Sequence, residues 1–440
     1  MEALPSRTRL IRTAAILSIG AVALAGCSGG SGGDADGDAA DKLTVWFPGT
    51  NQAEIDLVTK TIVPAFEKET GVEVEVTYLD WSDLSTKLNA AFPAGTAPDV
   101  FGHGPAAIAD FVVNDRIEDL DPYLDELDTA DVEDFAAALP GGQVDGVQYL
   151  IPLSMQGNLF IYDAEDFRDA GLDPDAPPTT WEGILDASEK LTVRDGSGKI
   201  TRSGLLLPSQ AVGRQQTFAN LLLAAGGDQI EDGKAAFNTD AGEEALSFFV
   251  DTYAGDDAVA TNLGENYMDA PAAQQPIVTD AASITMTVAP RAAQIAEAAP
   301  DLDLRVLPVP SFESADPGAL GGSGAGLMIN KDSQAKDLAW KFISYMLSPE
   351  ISEQYTEGIG AVPTRMSALD SDYVQGSKIV QAWLEAGPSF TPNPNVAGWV
   401  QARDTMDVYL EQALHEKLSV KDALAQMEDA VNKVLEASAG

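Results

Sequence analysis

The sequence predicts an α/β fold in which largely parallel sheets are covered by helices. Three observations predict it. Short β-rich runs alternate with helical periodicity from residue 42 to residue 153, and the alternation resumes after residue 158. Apolar residues, 45% of the 440-residue chain, are spread along it instead of gathered in one span. Strand–helix–strand order of this kind needs crossover connections, which make neighbouring strands parallel. Roughly 400 residues follow the N-terminal segment, enough for two or three domain-sized cores.

Taken in order, Lys42-Leu43-Thr44-Val45-Trp46-Phe47 reads as a strand ended by Pro48-Gly49. Ile55, Val58, Ile62, Ala65 and Phe66 recur at helical spacing, with Gly71 as a stop. Residues 72–78 alternate as a strand with one buried face, and Ser82 is the expected N-cap of a helix carrying Leu84 and Leu88. Pro98-Asp99-Val100-Phe101 is a further strand. Tyr149–Pro152 and Asn158–Tyr162 follow, and then a helix through Leu191 opened by Thr179-Thr180-Trp181-Glu182 with capping-box spacing. Phe218–Ala225 and Ala245–Tyr253 read as helices, and Ile284–Val288 and Leu304–Leu307 as strands. Helices dominate from Asp332, and the last is capped at Ser419, with Leu424, Met427, Val431 and Val434 inward.

The N-terminus carries an address. Arg7, Arg9 and Arg12 precede an apolar run, Ala14–Leu24, too short to span a bilayer, and then Leu24-Ala25-Gly26-Cys27. This describes a secretory signal peptide over residues 1–26, and the cysteine after Leu-Ala-Gly resembles the lipobox of bacterial lipoproteins. Cys27 is the only cysteine, so lipidation there is expected and a disulfide framework or thiolate cluster is excluded. The Gly/Ser/Asp stretch up to residue 41 reads as a flexible tether.

With 26 basic against 69 acidic residues, net −43, the chain repels phosphate backbones and anionic head groups. No nucleic-acid partner and no peripheral membrane docking are therefore expected. Catalytic motifs fail on context. Gly29-Gly30-Ser31-Gly32-Gly33 matches a nucleophile elbow but lies in the tether, and Gly321–Gly326 fits neither dinucleotide nor P-loop patterns. Asp34–Asp38 misplaces the glycine of a calcium loop. Only His103 and His415 are available for a triad or a metal, so no catalytic residue, metal or cofactor is expected.

Seven blocks in order resemble the carbohydrate-binding type of extracellular solute-binding protein, the maltose-binding-protein-like receptors of ABC importers. They are Leu43–Trp46, Lys87–Ala91 with Gly95–Val100, Gly146–Pro152 with Leu159–Tyr162, Thr180–Glu182, Ala339–Ile343, Ser348–Glu350 and Asn393–Trp399. The resemblance implies a two-lobed periplasmic-binding-protein-like (type II) fold with discontinuous lobes joined by hinge strands. It places the crossings near Leu150–Leu153, Ile284–Ala289 and Gly326–Lys331. Lobe 1 is then 42–151 plus 287–328, and lobe 2 is 152–286 plus 329–440. Ligand would be trapped in the cleft as the lobes close.

Where the family's contact loops fall, the resemblance implies ligand contacts from Thr50 and Asn51, Asp99 and His103, Gln156 and Asn158, and Arg214 and Gln216. It adds Arg291, Gly322 and Ser323, and Trp399 with Arg403. Several have a second reading: Trp399 as core, Asp99 as a supporting cap, Gly322 and Ser323 as a tight turn, and His103 as a surface histidine. Arg291 stands where relatives carry an aromatic, and Trp46 and Trp81 read as core or rim. The expected function is an extracytoplasmic, lipid-anchored, monomeric receptor that delivers a sugar, an oligosaccharide by preference, to ABC permease subunits. The alternatives are a receptor for a polyamine or small anion and, behind these, an extracytoplasmic glycan hydrolase.

Overall fold

The computed structural model describes residues 42–313 and 315–438. The expected signal peptide, lipidation at Cys27 and tether lie outside the described residues.

The chain opens with β1 (Lys42–Pro48), α1 (Gln52–Leu57), β2 (Glu73–Leu79), α2 (Trp81–Ala94), β3 (Val100–His103), α3 (Ile108–Val113) and β4 (Ile151–Pro152). Gly71 ends the helical run before β2 in the left-handed conformation, φ 76°, where a side chain would be strained. The expected cap at Ser82 is displaced by two residues. Asp80 caps α2, accepting from Ser82 N at 2.8 Å and Ser82 Oγ at 2.7 Å, so Trp81 becomes the first helical residue.

There follow β5 (Met155–Gly157), β6 (Leu159–Asp163), α4 (Trp181–Leu191), β7 (Val193–Arg194), β8 (Ile200–Leu206), α5 (Ala211–Ala224), α6 (Asp240–Tyr253), β9 (Ala282–Thr287), α7 (Ala289–Ala298), β10 (Leu304–Val306) and β11 (Ala319–Ser323). Thr180 caps α4 as its spacing predicts, accepting from Gly183 N. The chain closes with β12 (Gly326–Ile329), α8 (Lys336–Leu347), α9 (Pro349–Ile359), α10 (Lys378–Ala386), β13 (Phe390–Thr391), α11 (Trp399–Leu414) and α12 (Val420–Ser438).

These strands form two five-stranded sheets, ordered β2-β1-β3-β12-β4 and β10-β6-β9-β8-β7. In the first, β1 is parallel to β2 and β3, and β12 runs against both β3 and β4. In the second, β8 and β9 are parallel, and β6 runs against both β9 and β10. A small third sheet, β13-β11-β5, links them, with Gly321, Gly322 and Ser323 opposite Gly157, Gln156 and Met155. Phe390 lies across Gly157 and Gly321, where a Cβ would fall 2.2 and 2.4 Å from its ring. Only glycine permits that approach.

The grouping of elements corrects the expected boundaries. Residues 287–312 stay with the second sheet, because β10 pairs with β6, α7 packs with Leu159 and Ile161, and Phe312 lies in the second core. No crossing occurs at Ile284–Ala289. Residues 329–361 belong instead with the first sheet, since Ala335, Trp340, Phe342 and Tyr355 share a core with Leu43, Val45 and Phe47. The later helices α11 and α12 bury Met406, Leu410, Leu424 and Met427 in the core of the second sheet.

Candidate functional site

Strand polarity locates the site. The carboxyl ends of β1, β2 and β3 lie on one edge of the first sheet, and β4 leaves from that edge into the linking strand β5. On the second sheet, the facing edge carries the start of β6 and the carboxyl ends of β8 and β9. Open α/β sheets bind ligands outside the carboxyl ends of their parallel strands.

The first edge presents Thr50, Asn51, Trp81 and His103. Thr50 is exposed, and the Asn51 side chain caps α1 through Ala53 N. Gly49, at φ 99°, donates to Leu79 O and brings the β1 turn against the Trp81 indole, 3.3 Å from where a Cβ would stand. Trp81 is 51% exposed, the rare large aromatic of this chain left open to solvent. It meets the His103 ring edge-on, centroids 5.9 Å apart. His103 is 8% exposed. Gly104 N donates to its Nδ1 at 2.9 Å, which assigns the proton to Nε2, facing Ser85 Oγ at 3.1 Å. Burial, reinforced by the Arg403 charge, pushes its pKa down to about 4, against the Gly104 carbonyl. The ring is therefore neutral near pH 7.

The second edge presents Asn158, buried at the start of β6, and Arg291 in the first turn of α7. Arg291 Nη1 donates to Gln294 Oε1 at 3.0 Å, and burial lowers its pKa against the pull of Asp269. Arg403 on α11 is partly buried with its Nε unpartnered among the described residues. Its pKa is lowered by burial and raised by Asp404 and Asp110. Neither Arg291 nor Arg403 has a carboxylate in ion-pairing range among the described residues, whereas Arg168, Arg202, Arg214, Arg305 and Arg365 do.

The other expected contacts are placed elsewhere. Asp99 is at the opposite end of the β3 segment from His103. It accepts from Thr44 N at 2.9 Å, Thr44 Oγ1 at 2.7 Å and Ser333 Oγ at 2.7 Å, tying together the starts of β1 and β3 and the segment after β12. Arg214 is committed within the second body, bidentate to Asp407 at 2.9 and 2.7 Å and bonded to Ser209 O at 2.9 Å. Gln216, two residues on, is partly exposed on α5. Trp399 is fully buried in the core with Met406, its Nε1 unpartnered among the described residues. Gln156, Gly322 and Ser323 are linking-strand residues: Gly322 holds φ 130°, and Ser323 Oγ donates to Ala138 O at 2.6 Å.

The sequence read Trp81 as core or rim, and the structure leaves it half-open beside His103. The available signal was its position, two residues beyond the end of an alternating strand and next to a capping aspartate.

The two bodies also meet at the mouth of the cleft. Asn395 Oδ1 accepts from Ala109 N at 3.1 Å, and its Nδ2 donates to Gln143 O at 2.6 Å. Ala106 packs with the second core and Val400 against the first.

With this geometry in hand, the comparisons are specific. The bacterial extracellular solute-binding protein family matches residues 49–353. The chain belongs to that family. A putative binding protein of Brucella abortus is 23% identical, covering 84% of this chain and 88% of its own. An ABC transporter solute-binding protein from Thermotoga lettingae, solved with α-D-tagatose, superposes with TM-score 0.78 at 25% identity, covering 90% of this chain and 99% of its own. The cyclic α-maltosyl-1,6-maltose-binding protein of Arthrobacter globiformis gives 0.73 at 25%, with the same coverage. The two-sheet architecture is thus the two-lobed fold of these receptors. Among the described residues, no helix is long and apolar enough to cross a membrane.

Proposed function

We propose that this chain is a lipid-anchored receptor that binds a sugar between the two strand-end edges and hands it to an ABC permease. The observation that carries the reading is Trp81, a half-open indole beside a neutral His103 and the polar Thr50–Asn51 turn. A sugar offers a weakly apolar CH face and a rim of hydroxyls. An aromatic plane takes the first, and neutral donors and acceptors take the second. The two solved relatives above, named for tagatose and for a cyclic maltosyl-maltose, support the same ligand class. Arg291 and Arg403, free of carboxylate partners among the described residues, supply donors to hydroxyls. Closure around the bound sugar joins both edges.

Cys27, directly after Leu24-Ala25-Gly26, supports the anchor. Tethering keeps a receptor concentrated beside its permease. Calorimetry with mono- and oligosaccharides, putrescine, spermidine and citrate tests the ligand class. Binding of a saccharide near micromolar, about −8 kcal/mol, is expected. Binding confined to the amines or to citrate would reject the sugar reading. Cys27→Ser should release the protein from membranes without changing ligand affinity, and an unchanged membrane fraction would reject the anchor.

A further inference from the structure

Two cationic side chains of the second body stand at the cleft without an anionic partner among the described residues. Arg403 comes from α11 and lies close enough to His103 for its charge to act on that ring, which in turn meets Trp81. Arg291 stands in the first turn of α7, directly after the carboxyl end of β9. That turn sits where the two bodies meet. A Cβ on Gly360, at the end of α9, would fall 2.5 Å from Ala293 Cβ and 3.7 Å from Pro290 Cα. We propose that the ligand is an acidic sugar, a hexuronate or a chain containing one, whose carboxylate pairs with Arg403 beside the Trp81–His103 edge while Arg291 adds positive charge from α7. The proposal rests on the sugar-receptor reading and specifies the class of sugar.

The absence of partners is informative in a chain with 69 acidic residues against 26 basic ones. Other arginines are occupied within the protein. Arg194 donates to the carbonyls of Gly198, Asp256 and Ala258, and Arg116 lies over the Phe92 ring. Even Asp407, one helical turn beyond Arg403, is committed to Arg214. Arg403 is partly buried, and its Nε has no acceptor among the described residues. Burial works against the charge of both Arg291 and Arg403. Closure of the lobes would remove more water, and a desolvated cation is costly unless it is paired.

A neutral hydroxyl can accept from a guanidinium, but it does not neutralise the charge. A carboxylate does both, and the planar fork of arginine matches its two oxygens. A hexuronate carries this group in place of the primary alcohol of a hexose. Its ring therefore keeps the CH face that Trp81 can stack on and the hydroxyls for the Thr50–Asn51 turn. The charge fits one anion better than two. Asp404 and Asp110 act on Arg403, and Asp269 acts on Arg291, so part of the positive charge is already offset. A phosphate ester, with nearly two charges, would set its second charge against these carboxylates.

Matched pairs test the charge. The purified chain is titrated by calorimetry with glucose and glucuronate, galactose and galacturonate, mannose and mannuronate, and with trigalacturonate and its methyl ester. Galactose 6-sulfate and galactose 6-phosphate are added as other anions. At least one acidic sugar should bind roughly tenfold or more tighter than its neutral counterpart. Arg403→Gln should remove most of that preference, Arg403→Lys should retain more of it, and Arg291→Gln should reduce it. Equal or tighter binding of the neutral partners overturns the proposal and leaves the receptor reading standing. So does tighter binding of the sulfate or phosphate ester than of any uronate, or a preference that survives Arg403→Gln unchanged. The native comparison decides the ligand class even where a variant fails to fold. If no saccharide, neutral or acidic, binds the native chain, the receptor reading falls and this proposal falls with it.

Discussion

The Asp110 carboxylate accepts from the Gly398 backbone amide at 2.5 Å, fastening α3 of the first body to the start of α11 in the second. Together with the two hydrogen bonds of Asn395, this makes a clasp from the protein's own atoms. Each such bond contributes about 1 kcal/mol, more where a charge is involved. Asn395→Ala removes two of them and leaves Asp110 in place. The closed arrangement should lose about 1–2 kcal/mol, a shift of roughly tenfold in the closure equilibrium. Small-angle scattering of the ligand-free protein should show a larger radius of gyration, and sugar affinity should fall severalfold. An unchanged radius with unchanged affinity would show that the clasp does not hold the lobes.

Trp81 is the position where removal separates binding from folding. An indole 51% exposed contributes little to the core, so Trp81→Ala should cost less than about 1 kcal/mol of stability. The loss of a stacking face should cost about 1–2 kcal/mol of binding, roughly 5- to 30-fold in Kd, and Trp81→Phe should recover part of it. Calorimetry beside a urea titration checks both. Equal losses in stability and affinity would place Trp81 in the core after all.

Why the sequence reads Trp81 as core or rim is a matter of helix geometry. Trp81, Leu84 and Leu88 share one face at helical spacing, and that periodicity says core. The cap at Asp80 makes Trp81 the first residue of α2, and side chains lean toward a helix N-terminus, which carries the indole past the sheet edge. Local signals were legible where one segment suffices, as with the alternation of β2, the Thr180 cap and the Gly71 stop. The return of α8 and α9 to the first sheet was not, because it depends on contacts such as Trp340 with Tyr123 across the chain.

Arg214 shows the same limit from the other side, and it can be tested. Its partner Asp407 is 193 positions away, and no local pattern announces the pair. Burial pushes the Asp407 pKa up even with the guanidinium beside it. Arg214→Met strands that carboxylate and should cost about 3 kcal/mol of stability. Arg214→Met with Asp407→Leu should recover most of that loss. Sugar affinity of both variants, measured where they are folded, should match the native value. A tenfold fall in affinity without loss of stability would return Arg214 to the ligand site.

Two titratable groups with opposite signs, Glu54 partly buried and His103 buried, shape the pH dependence of stability. Glu54 accepts from Tyr355 OH at 2.8 Å, and burial raises its pKa from 4.5 to about 7 despite that bond. Between those values the folded state holds the proton more tightly than the unfolded chain, so stability is lost as pH rises from 4.5 to 7. His103 behaves oppositely. Its pKa falls from 6.5 to about 4, the unfolded chain takes up the proton first, and stability is lost as pH falls from 6.5 to 4. Each contributes at most about 3 kcal/mol, and the two slopes oppose each other where the windows overlap. Glu54→Gln should therefore gain stability relative to the native chain progressively from pH 4.5 to 7. His103→Gln should gain relative to it as the pH falls from 6.5 to 4. Urea midpoints read at unit intervals from pH 4 to pH 8 give both difference curves. A flat curve for Glu54→Gln would mean that Glu54 is ionised and solvated in the folded state, and a flat curve for His103→Gln that the imidazole protonates freely beside Trp81.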